Sequence, residues 1–203
     1  KGVMNDFKYI FKNHKTKNIT YIYNPIDVKE ITCLSNENIS CSGYIIHVGK
    51  FNEAKRHDIL IRAYAKSGVK DTLVLVGKGP LLEKNKLLVS KLNINNKVIF
   101  MGFKKNPYPL IKNAKLMILS SDFEGLPTVI LEATALGTPV ISTDCPSGPS
   151  EILPAQNLCS VRDIEKLSQL MKLAIAMPEE YKIPLANSFL LGYATQKYLD
   201  LLL

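Results

Sequence analysis

Two glutamates lie on either side of a predicted helix start, with seven residues between them. Glu124 comes just before the helix, and Glu132 falls in its second turn, inside an otherwise apolar run. A carboxylate in such a run is costly to bury unless a hydrogen-bond donor reaches it. Thr128 shares a helix face with Glu132, so the polar stripe predicts a ligand that carries hydroxyl groups. Two structural alternatives stay open, because Ser121-x-x-Glu124 matches a capping box and Glu132 would also suit the edge of a solvated face.

The helix start itself is suited to an anion. Gly125 permits a tight chain reversal, and Pro127 fits the first helical turn because its missing N–H would have had no partner there. The N–H groups of Thr128 and Val129 are then free at the positive end of the helix dipole. A phosphate or diphosphate would bind well at such a position.

Two lysines, Lys50 and Lys55, lie five residues apart across the turn that follows a short apolar strand. Both side chains can reach the crevice at the end of that strand. Cations beside a helix N-terminus would neutralise a diphosphate leaving group, which is a large contribution to catalysis in a site that excludes water. The alternative is a pair of solvated lysines in a lysine-rich protein, and the spacing alone leaves both interpretations open.

The next two strands are predicted to end at glycines. Residues 77–80 form a Gly-Lys-Gly-Pro turn that does not continue as G-x-G-x-x-G, which argues against a nicotinamide site. Gly102 ends the third strand and leaves backbone groups free at the crevice, where main-chain hydrogen bonds would read a planar base. The alternative is a tight turn that places Phe103 in the core.

The composition argues against a nucleic-acid-binding protein and against a membrane-spanning one. The chain has 203 residues, 46% of them hydrophobic, and a formal net charge of +8. Nearly all of the positive charge is lysine scattered along the chain, which gives little support to nucleic-acid binding. We attribute the charge mainly to solvated surface, with a minor attraction for anionic substrates or lipid head groups. No uncharged apolar run approaches the roughly 18 to 20 residues that span a bilayer, so membrane contact would be peripheral.

Neither cysteines nor histidines indicate a metal site. The cysteine spacing lacks C-x-x-C and is typical of reduced cysteines in a cytosolic protein; the four are Cys33, Cys41, Cys145 and Cys159. Asp122 is not part of a D-x-D pair, and His14, His47 and His57 are predicted not to cluster. His57 is expected on a helix face, and His47 is expected to be a hydrogen-bonded histidine of the core.

Strands and helices alternate along the chain, which predicts an α/β fold with a doubly wound, Rossmann-like parallel sheet and extra C-terminal helices. Ligands of such sheets bind beyond the carboxyl ends of the strands, where the residues above fall. Strands are predicted at 44–48, 72–76, 97–100, 115–120 and 139–143, after a short strand at 19–23. Helices are predicted at 1–17, 55–67, 81–92, 107–113, 128–136, 149–153, 161–176, 178–190 and 193–203, with a connection at 28–42.

The motifs between residues 43 and 153 together resemble the nucleotide-sugar-binding half of a family-four retaining glycosyltransferase with the GT-B fold. They are VGK at 48–50, Lys55, VGKGP at 76–80, VIFMG at 98–102 and EGLPTVILEA at 124–133. The segment PVISTDCPSGP at 139–149 is similar to bacterial members that build lipopolysaccharide, capsule or other surface glycans. The resemblance covers more than half of the chain in the right order.

The resemblance assigns roles to the residues around the helix start. Glu124 resembles the first glutamate of the family's E-x7-E motif, which contacts hydroxyls of the donor sugar. Glu132 resembles the second, which binds the ribose hydroxyls. Thr128 and Val129 match the backbone amides that hold the diphosphate.

The remaining donor-site residues follow from the same resemblance. Lys50 and Lys55 match the basic pair that stabilises the leaving diphosphate, and with Glu124 they are the expected catalytic residues. The family usually has arginine at the first position; lysine keeps the charge but loses the bidentate fork, so donor affinity is expected to be weaker. The further donor-binding residues are Gly49, Gly125, Leu126 and Pro127, with Gly102, Phe103 and Lys104 where the family reads the base.

The resemblance also implies a domain organisation. Residues 19–27 resemble the crossover into the second domain, so 1–27 would be a remnant of the first domain and 28–203 the nucleotide-sugar-binding domain. The N-terminal, acceptor-binding domain would then be missing from the chain, and the last helix would lack its normal neighbour. By itself the chain is expected to be inactive.

The implied function is transfer of a hexose, with retention, from a nucleotide-diphosphate sugar to a glycan or lipid-linked acceptor of surface polysaccharide synthesis. UDP is expected on the resemblance alone, without a metal or cofactor, in the cytoplasm and with peripheral contact at the inner face of the membrane. One alternative is a nucleotide-sugar epimerase, which would isomerise the donor without an acceptor. The other is a non-catalytic nucleotide- or RNA-binding module, for which oligonucleotide binding would depend steeply on salt.

Overall fold

The sheet of the computed structural model has six strands, all parallel, in the order β3-β2-β1-β4-β5-β6. The structure is described for residues 1–11 and 19–202. The strands Leu73–Val76 and Leu116–Leu119 are apolar and buried along their whole length because helices cover both faces of the sheet. The strands are β1 (Ile45–Val48), β2 (Leu73–Val76), β3 (Val98–Gly102), β4 (Leu116–Leu119), β5 (Val140–Thr143) and β6 (Leu158–Cys159). The expectation of an α/β doubly wound parallel sheet is confirmed.

Nine α-helices lie within the described ranges. Asp163 begins one of them, since its carboxylate accepts a hydrogen bond from the Lys166 N–H at 2.8 Å. Gly68 ends another in a left-handed conformation, with φ of 66°. They are α1 (Gly2–Ile10), α2 (Val28–Leu34), α3 (His57–Ser67), α4 (Leu82–Lys91), α5 (Tyr108–Lys112), α6 (Thr128–Ala135), α7 (Pro149–Ile152), α8 (Ile164–Ala176) and α9 (Leu191–Leu199).

Alternate residues of each strand point to two separate cores. The core that packs against α3, α4 and α8 receives Ile45, Leu73, Leu75, Leu116 and Ile118 from the strands. The core on the other face, against α5 and α6, receives Ile46, Val74, Val76, Met117 and Leu119. The sheet is therefore held from both sides, which fixes the loops at the carboxyl ends of its strands.

The predicted elements differ from the structure mainly at the two ends of the chain. Residues 19–23 form no strand, and the predicted connection at 28–42 contains α2, which Asp27 caps by accepting the Glu30 N–H at 3.0 Å. The helix predicted at 178–190 is replaced by two short 3-10 turns, Pro178–Tyr181 and Asn187–Phe189, because Pro184 cannot donate within a helix. The two-residue β6 was not predicted. The helix predicted at 1–17 is observed as α1, and residues 12–18 lie outside the described residues.

Candidate active site

The loops that follow β1 and β4 meet through an ion pair. Lys55 Nζ lies 2.6 Å from Glu124 Oε1, and the two side chains are only 21% and 10% exposed. Ser121 Oγ donates to the same carboxylate oxygen at 2.6 Å. Ser121 and Glu124 therefore form no capping box, since their helix, α6, begins four residues after Glu124. We call Lys55, Ser121 and Glu124 the closed wall of the site.

The N-terminus of α6 leaves two donors available. Within the described ranges, the backbone N–H groups of Thr128 and Val129 have no hydrogen-bond acceptor, whereas the Ile130 N–H donates to the Pro127 carbonyl at 2.9 Å. Pro127 was predicted in the first turn and lies one position earlier, as the residue that caps the helix. The two free N–H groups and the helix dipole make this end of α6 able to hold an anion.

The turn before α6 requires a glycine at position 148 and not at position 125. A Cβ on Gly125 would meet open space. Gly148 adopts a φ of 104°, and a Cβ there would lie 2.6 Å from the Gly125 carbonyl oxygen and 2.5 Å from Pro127 Cδ. Gly125 was expected to permit a tight reversal, but neither its conformation nor its surroundings require a glycine, and the close backbone approach occurs at Gly148.

Glu132 lies half-buried in the second turn of α6 without a protein partner. No described residue donates a hydrogen bond to its carboxylate. Burial raises the pKa of Glu132 above its ordinary value. Burial and then the charge of Glu132 raise the pKa of Tyr108, which places the tyrosine within electrostatic reach of the carboxylate. A desolvated acceptor of this kind is suited to the hydroxyl groups of a ligand.

The carboxyl ends of β1, β2 and β3 surround a pocket of about 560 Å³. Its walls include Gly49, Lys50, Gly77, Lys78, Phe103 and Lys104. Phe103 is 63% exposed, so the alternative that placed it in the core is wrong. Lys78 Nζ lies 5.2 Å from the centre of the Phe103 ring. We call Lys50, Lys78, Phe103 and Lys104 the open wall.

The two lysines predicted to act together stand in different surroundings. Lys50 is exposed and lines the pocket, whereas Lys55 is paired with Glu124. Gly49 connects them, since a Cβ on this residue would lie 3.6 Å from carbons of the Lys55 side chain. The open and closed walls are thus adjacent. Lys78 was not predicted as a site residue, although the Gly-Lys-Gly turn that carries it was recognised.

Two histidines were expected to be apart and instead pack together. The His47 and His57 rings lie 4.5 Å apart, and both are buried. His47 Nδ1 lies 2.8 Å from the Ile118 carbonyl oxygen, as expected of a core histidine, but neither nitrogen of His57 has a hydrogen-bond partner among the described residues. Burial lowers the pKa of His47 to about 4 and that of His57 to about 2. His14 lies outside the described residues.

The sequence also gave no sign of an ion-pair network beside the closed wall. Asp122 Oδ2 accepts hydrogen bonds from Arg56 Nη1 at 2.9 Å and from Arg162 Nη2 at 2.8 Å. Arg56 also binds both oxygens of Asp58. Within residues 1–11 and 19–202, no three acidic, cysteine or histidine side chains are grouped so as to hold a metal ion. In the same ranges no helix has the length and apolarity needed to cross a bilayer.

Comparison with known proteins agrees with this architecture. The chain matches the family of glycosyl transferases group 1 over residues 36–188. It is 30% identical over 168 residues to the N-acetylgalactosamine-N,N'-diacetylbacillosaminyl-diphospho-undecaprenol 4-alpha-N-acetylgalactosaminyltransferase of Campylobacter jejuni, covering 82% of the chain and 46% of that protein. It is 32% identical over 143 residues to the lipopolysaccharide 1,6-galactosyltransferase of Salmonella typhimurium, covering 68% and 40%.

A solved structure has the same fold. Anabaena HepE in complex with UDP and glucose superimposes with a TM-score of 0.79 at 20% identity, over 97% of this chain and 60% of that one. The fold is that of the C-terminal half of a GT-B glycosyltransferase. The chain belongs to the family of glycosyl transferases group 1. It spans less than half the length of these two curated relatives.

Proposed function

We propose that this chain binds the donor for a glycosyltransferase that moves a hexose, with retention, from a UDP-sugar to a glycan or lipid-linked acceptor. One observation carries the proposal: the first two turns of α6 present two unpaired N–H groups and one half-buried, unpartnered carboxylate. A nucleoside diphosphate offers phosphate oxygens to the N–H groups and ribose hydroxyls to Glu132. The same helix thus has groups for both parts of one ligand.

In this proposal the closed wall acts on the reacting end of the donor. Lys55 and the N-terminus of α6 offset the negative charge that develops on the diphosphate as its bond to the anomeric carbon breaks. Glu124 accepts hydrogen bonds from hydroxyls of the sugar. The acceptor oxygen bonds to the anomeric carbon as the bond from that carbon to the diphosphate oxygen breaks, the proton of the acceptor hydroxyl passes to the departing diphosphate, and UDP leaves. Bringing the donor into a fixed position beside these charges supplies part of the rate enhancement.

The open wall receives the nucleoside and part of the diphosphate. The exposed ring of Phe103 offers a face to the base, and Gly102 and Lys104 flank it at the end of β3. Lys50 adds a mobile positive charge at the phosphates. Gly49, Gly125, Leu126 and Pro127 complete the proposed lining. Support for UDP comes from the HepE structure, which is a complex with UDP and glucose.

The acceptor and the setting are proposed from the relatives. The Campylobacter and Salmonella proteins are named for transfer to a diphospho-undecaprenol-linked sugar and to lipopolysaccharide. We propose a related role in surface glycan synthesis, in the cytoplasm with peripheral membrane contact. The family match favours transfer over isomerisation or RNA binding.

We further propose that residues 1–27 belong to the crossing from a preceding, acceptor-binding domain, and residues 28–203 to the donor-binding domain. Large apolar side chains are exposed on the two helices nearest the ends of the chain, which supports contact with a further domain. They include Val3, Phe7 and Ile10 of α1 and Leu191, Tyr198 and Leu199 of α9.

Thermal unfolding of the chain with nucleotides tests the donor assignment. A ligand at about 100 times its dissociation constant adds about 2.7 kcal/mol of stability, which raises the unfolding temperature by an easily measured amount. We expect UDP to stabilise the protein more than GDP, ADP or CMP do. We expect the shift to shrink in Glu132→Gln. Equal responses to all four nucleotides, or none at millimolar concentration, would contradict the proposal.

A further inference from the structure

Hydrogen bonds to its backbone carbonyls hold the segment that carries Lys55 against the end of β4. Ser120 Oγ donates to the Lys55 carbonyl at 2.9 Å and lies 3.2 Å from the Arg56 carbonyl. The Asp122 N–H donates to the Ala54 carbonyl at 2.8 Å. The backbone of residues 54–56 therefore follows the end of β4, from which Glu124 also extends.

Arg56 adds a side-chain link at the same place. It adopts a left-handed conformation, with φ of 46° and ψ of 49°, which disfavours side chains other than glycine. Its guanidinium bridges Asp58, two residues along, and Asp122, across the loop. A strained residue persists where surrounding contacts hold it, and here those contacts are the two carboxylates.

Asp122 is buried, with 6% exposure, and depends on its cationic partners. Burial alone would raise its pKa, but the hydrogen bonds from Arg162 and Arg56 hold the pKa of Asp122 below its ordinary value. Arg162 reaches it from the loop before α8, with a side chain that is 62% exposed. Among the described side chains, Arg56 is the one that links the carboxylate of Asp122 to the segment that carries Lys55.

We propose that the Arg56–Asp122 ion pair positions Lys55 against Glu124 and toward the diphosphate of the donor. The two ion pairs are parallel links between the same loops: Arg56 to Asp122, and Lys55 to Glu124. Arg56 is thus a positioning residue that acts through its neighbour. The inference deepens the proposed function and rests on it for the identity of the ligand.

Replacement of Arg56 by glycine tests the link with a closely matched control. Glycine adopts the left-handed conformation without strain, so Arg56→Gly removes the guanidinium and allows the loop to keep its path. Arg162→Gly is the control, because Arg162 also has a positive φ, of 62°, and also binds Asp122. Arg162 differs from Arg56 in that it lies far along the chain from Lys55, whereas Arg56 is the next residue.

UDP affinity measured by titration calorimetry gives the first readout. We expect Arg56→Gly to weaken UDP binding about fivefold and Arg162→Gly to weaken it less than about twofold. In a Lys55→Met background, Arg56→Gly should cause no further loss, because the residue on which it acts is gone. An equal loss in both backgrounds, or unchanged affinity in Arg56→Gly, would overturn the proposal.

The second readout needs no nucleotide. In ¹⁵N spectra of the lysine ammonium groups, a restrained, paired Lys55 gives a signal protected from exchange, assigned by its absence in Lys55→Met. We expect this signal in the wild type and Arg162→Gly and its loss in Arg56→Gly. Retention of the signal in Arg56→Gly would overturn the positioning role. If the signal is lost but the wild type binds no UDP, the proposed function fails and the positioning of Lys55 stands.

Discussion

The closed wall holds its charges in a fixed pair, whereas the open wall presents its charges to solvent. Lys55 and Glu124 are largely buried, and the same oxygen of Glu124 accepts hydrogen bonds from Lys55 and from Ser121. Lys50 and Lys104 are exposed, without an ion-pair partner among the described residues. The two walls meet at Gly49, so one ligand would contact both.

The two walls are therefore expected to contribute differently to the positioning and to the affinity of a donor. Breaking a buried ion pair is strongly destabilising, because the remaining charge is left uncompensated, so the closed wall has one preferred arrangement. Exposed lysines are mobile and strongly screened, and each contributes little. We therefore expect the closed wall to govern the rate of transfer and to contribute to donor affinity, and the open wall to adjust donor affinity by a smaller amount.

The largest expected effect is that of removing the cation of the closed wall. Lys55→Met should lower turnover of the full-length enzyme by about 10² to 10³-fold, because the leaving diphosphate loses its nearest fixed charge. Steady-state transfer assays measure this loss of turnover. Lys91→Met, on an exposed position of α4, is the control and should be unaffected. A loss smaller than about fivefold would mean that the closed wall does not govern the rate.

Acid is expected to destabilise the core behind the closed wall. His47 and His57 are buried as neutral rings with lowered pKa values. Their contribution to stability is complete above the ordinary pKa of 6.5 and is lost as the pH falls through 6.5 toward the folded-state values. We expect the free energy of unfolding to fall with a slope of up to about 1.4 kcal/mol per pH unit for each histidine.

Urea unfolding between pH 7 and pH 4 checks this slope. His57→Leu is the matched variant, since neither ring nitrogen of His57 forms a hydrogen bond with the part of the chain that the structure describes. Its stability should depend less on pH than that of the wild type. Identical slopes would show that His57 is not buried as a neutral ring.

Glu132→Gln should separate ligand binding from stability. The folded-state pKa of Glu132 is raised, so its contribution to stability is complete at low pH and is lost as the pH rises through the folded-state value. Without UDP, the variant should be about 0.5 to 2 kcal/mol more stable at pH 7, and the difference should vanish near pH 4. UDP affinity should fall by about tenfold, the effect of losing one charged hydrogen bond. Calorimetry and urea unfolding measure both, and a variant that is less stable and binds UDP normally would refute this role.

The smallest effect is expected at the open wall. Lys50→Ala should weaken UDP binding by about two- to threefold, and raising the salt concentration should reduce that difference. Lys50→Arg should bind UDP more tightly than the wild type, because a guanidinium donates to phosphate in a bidentate manner. Titrations at two salt concentrations measure both variants. A tenfold loss in Lys50→Ala would show that the open wall is as fixed as the closed one.

The sheet was predictable because its strands are short, continuous apolar runs between glycines and polar turns. Helix α2 was missed because its seven residues show little apolar pattern, and its one buried residue, Ile31, gains its contacts only in the fold. The prediction of a helix at 178–190 did not take into account that Pro184 cannot donate a helical hydrogen bond. Local patterns identified elements where the pattern was long, and they failed where tertiary contacts decide.

The sequence selected candidate site residues one by one, whereas their contacts with one another are seen only in the fold. Lys55 and Glu124 were both selected, but 69 positions separate them and no local pattern shows that they pair. The close approach of Gly148 to Gly125 and the ion pairs of Asp122 both join loops that are distant in sequence and meet only in the fold. The sequence thus proposes the chemistry of the site, and the fold shows which of the candidate groups are in contact.

A crystal structure of the chain with UDP is the most direct test of the account. We expect the diphosphate at the N–H groups of Thr128 and Val129, and the ribose hydroxyls at Glu132. Lys55 and Glu124 should keep their positions, whereas Lys50 and Lys104 should move toward the nucleotide. UDP bound away from α6, or a closed wall rearranged as much as the open one, would contradict the account.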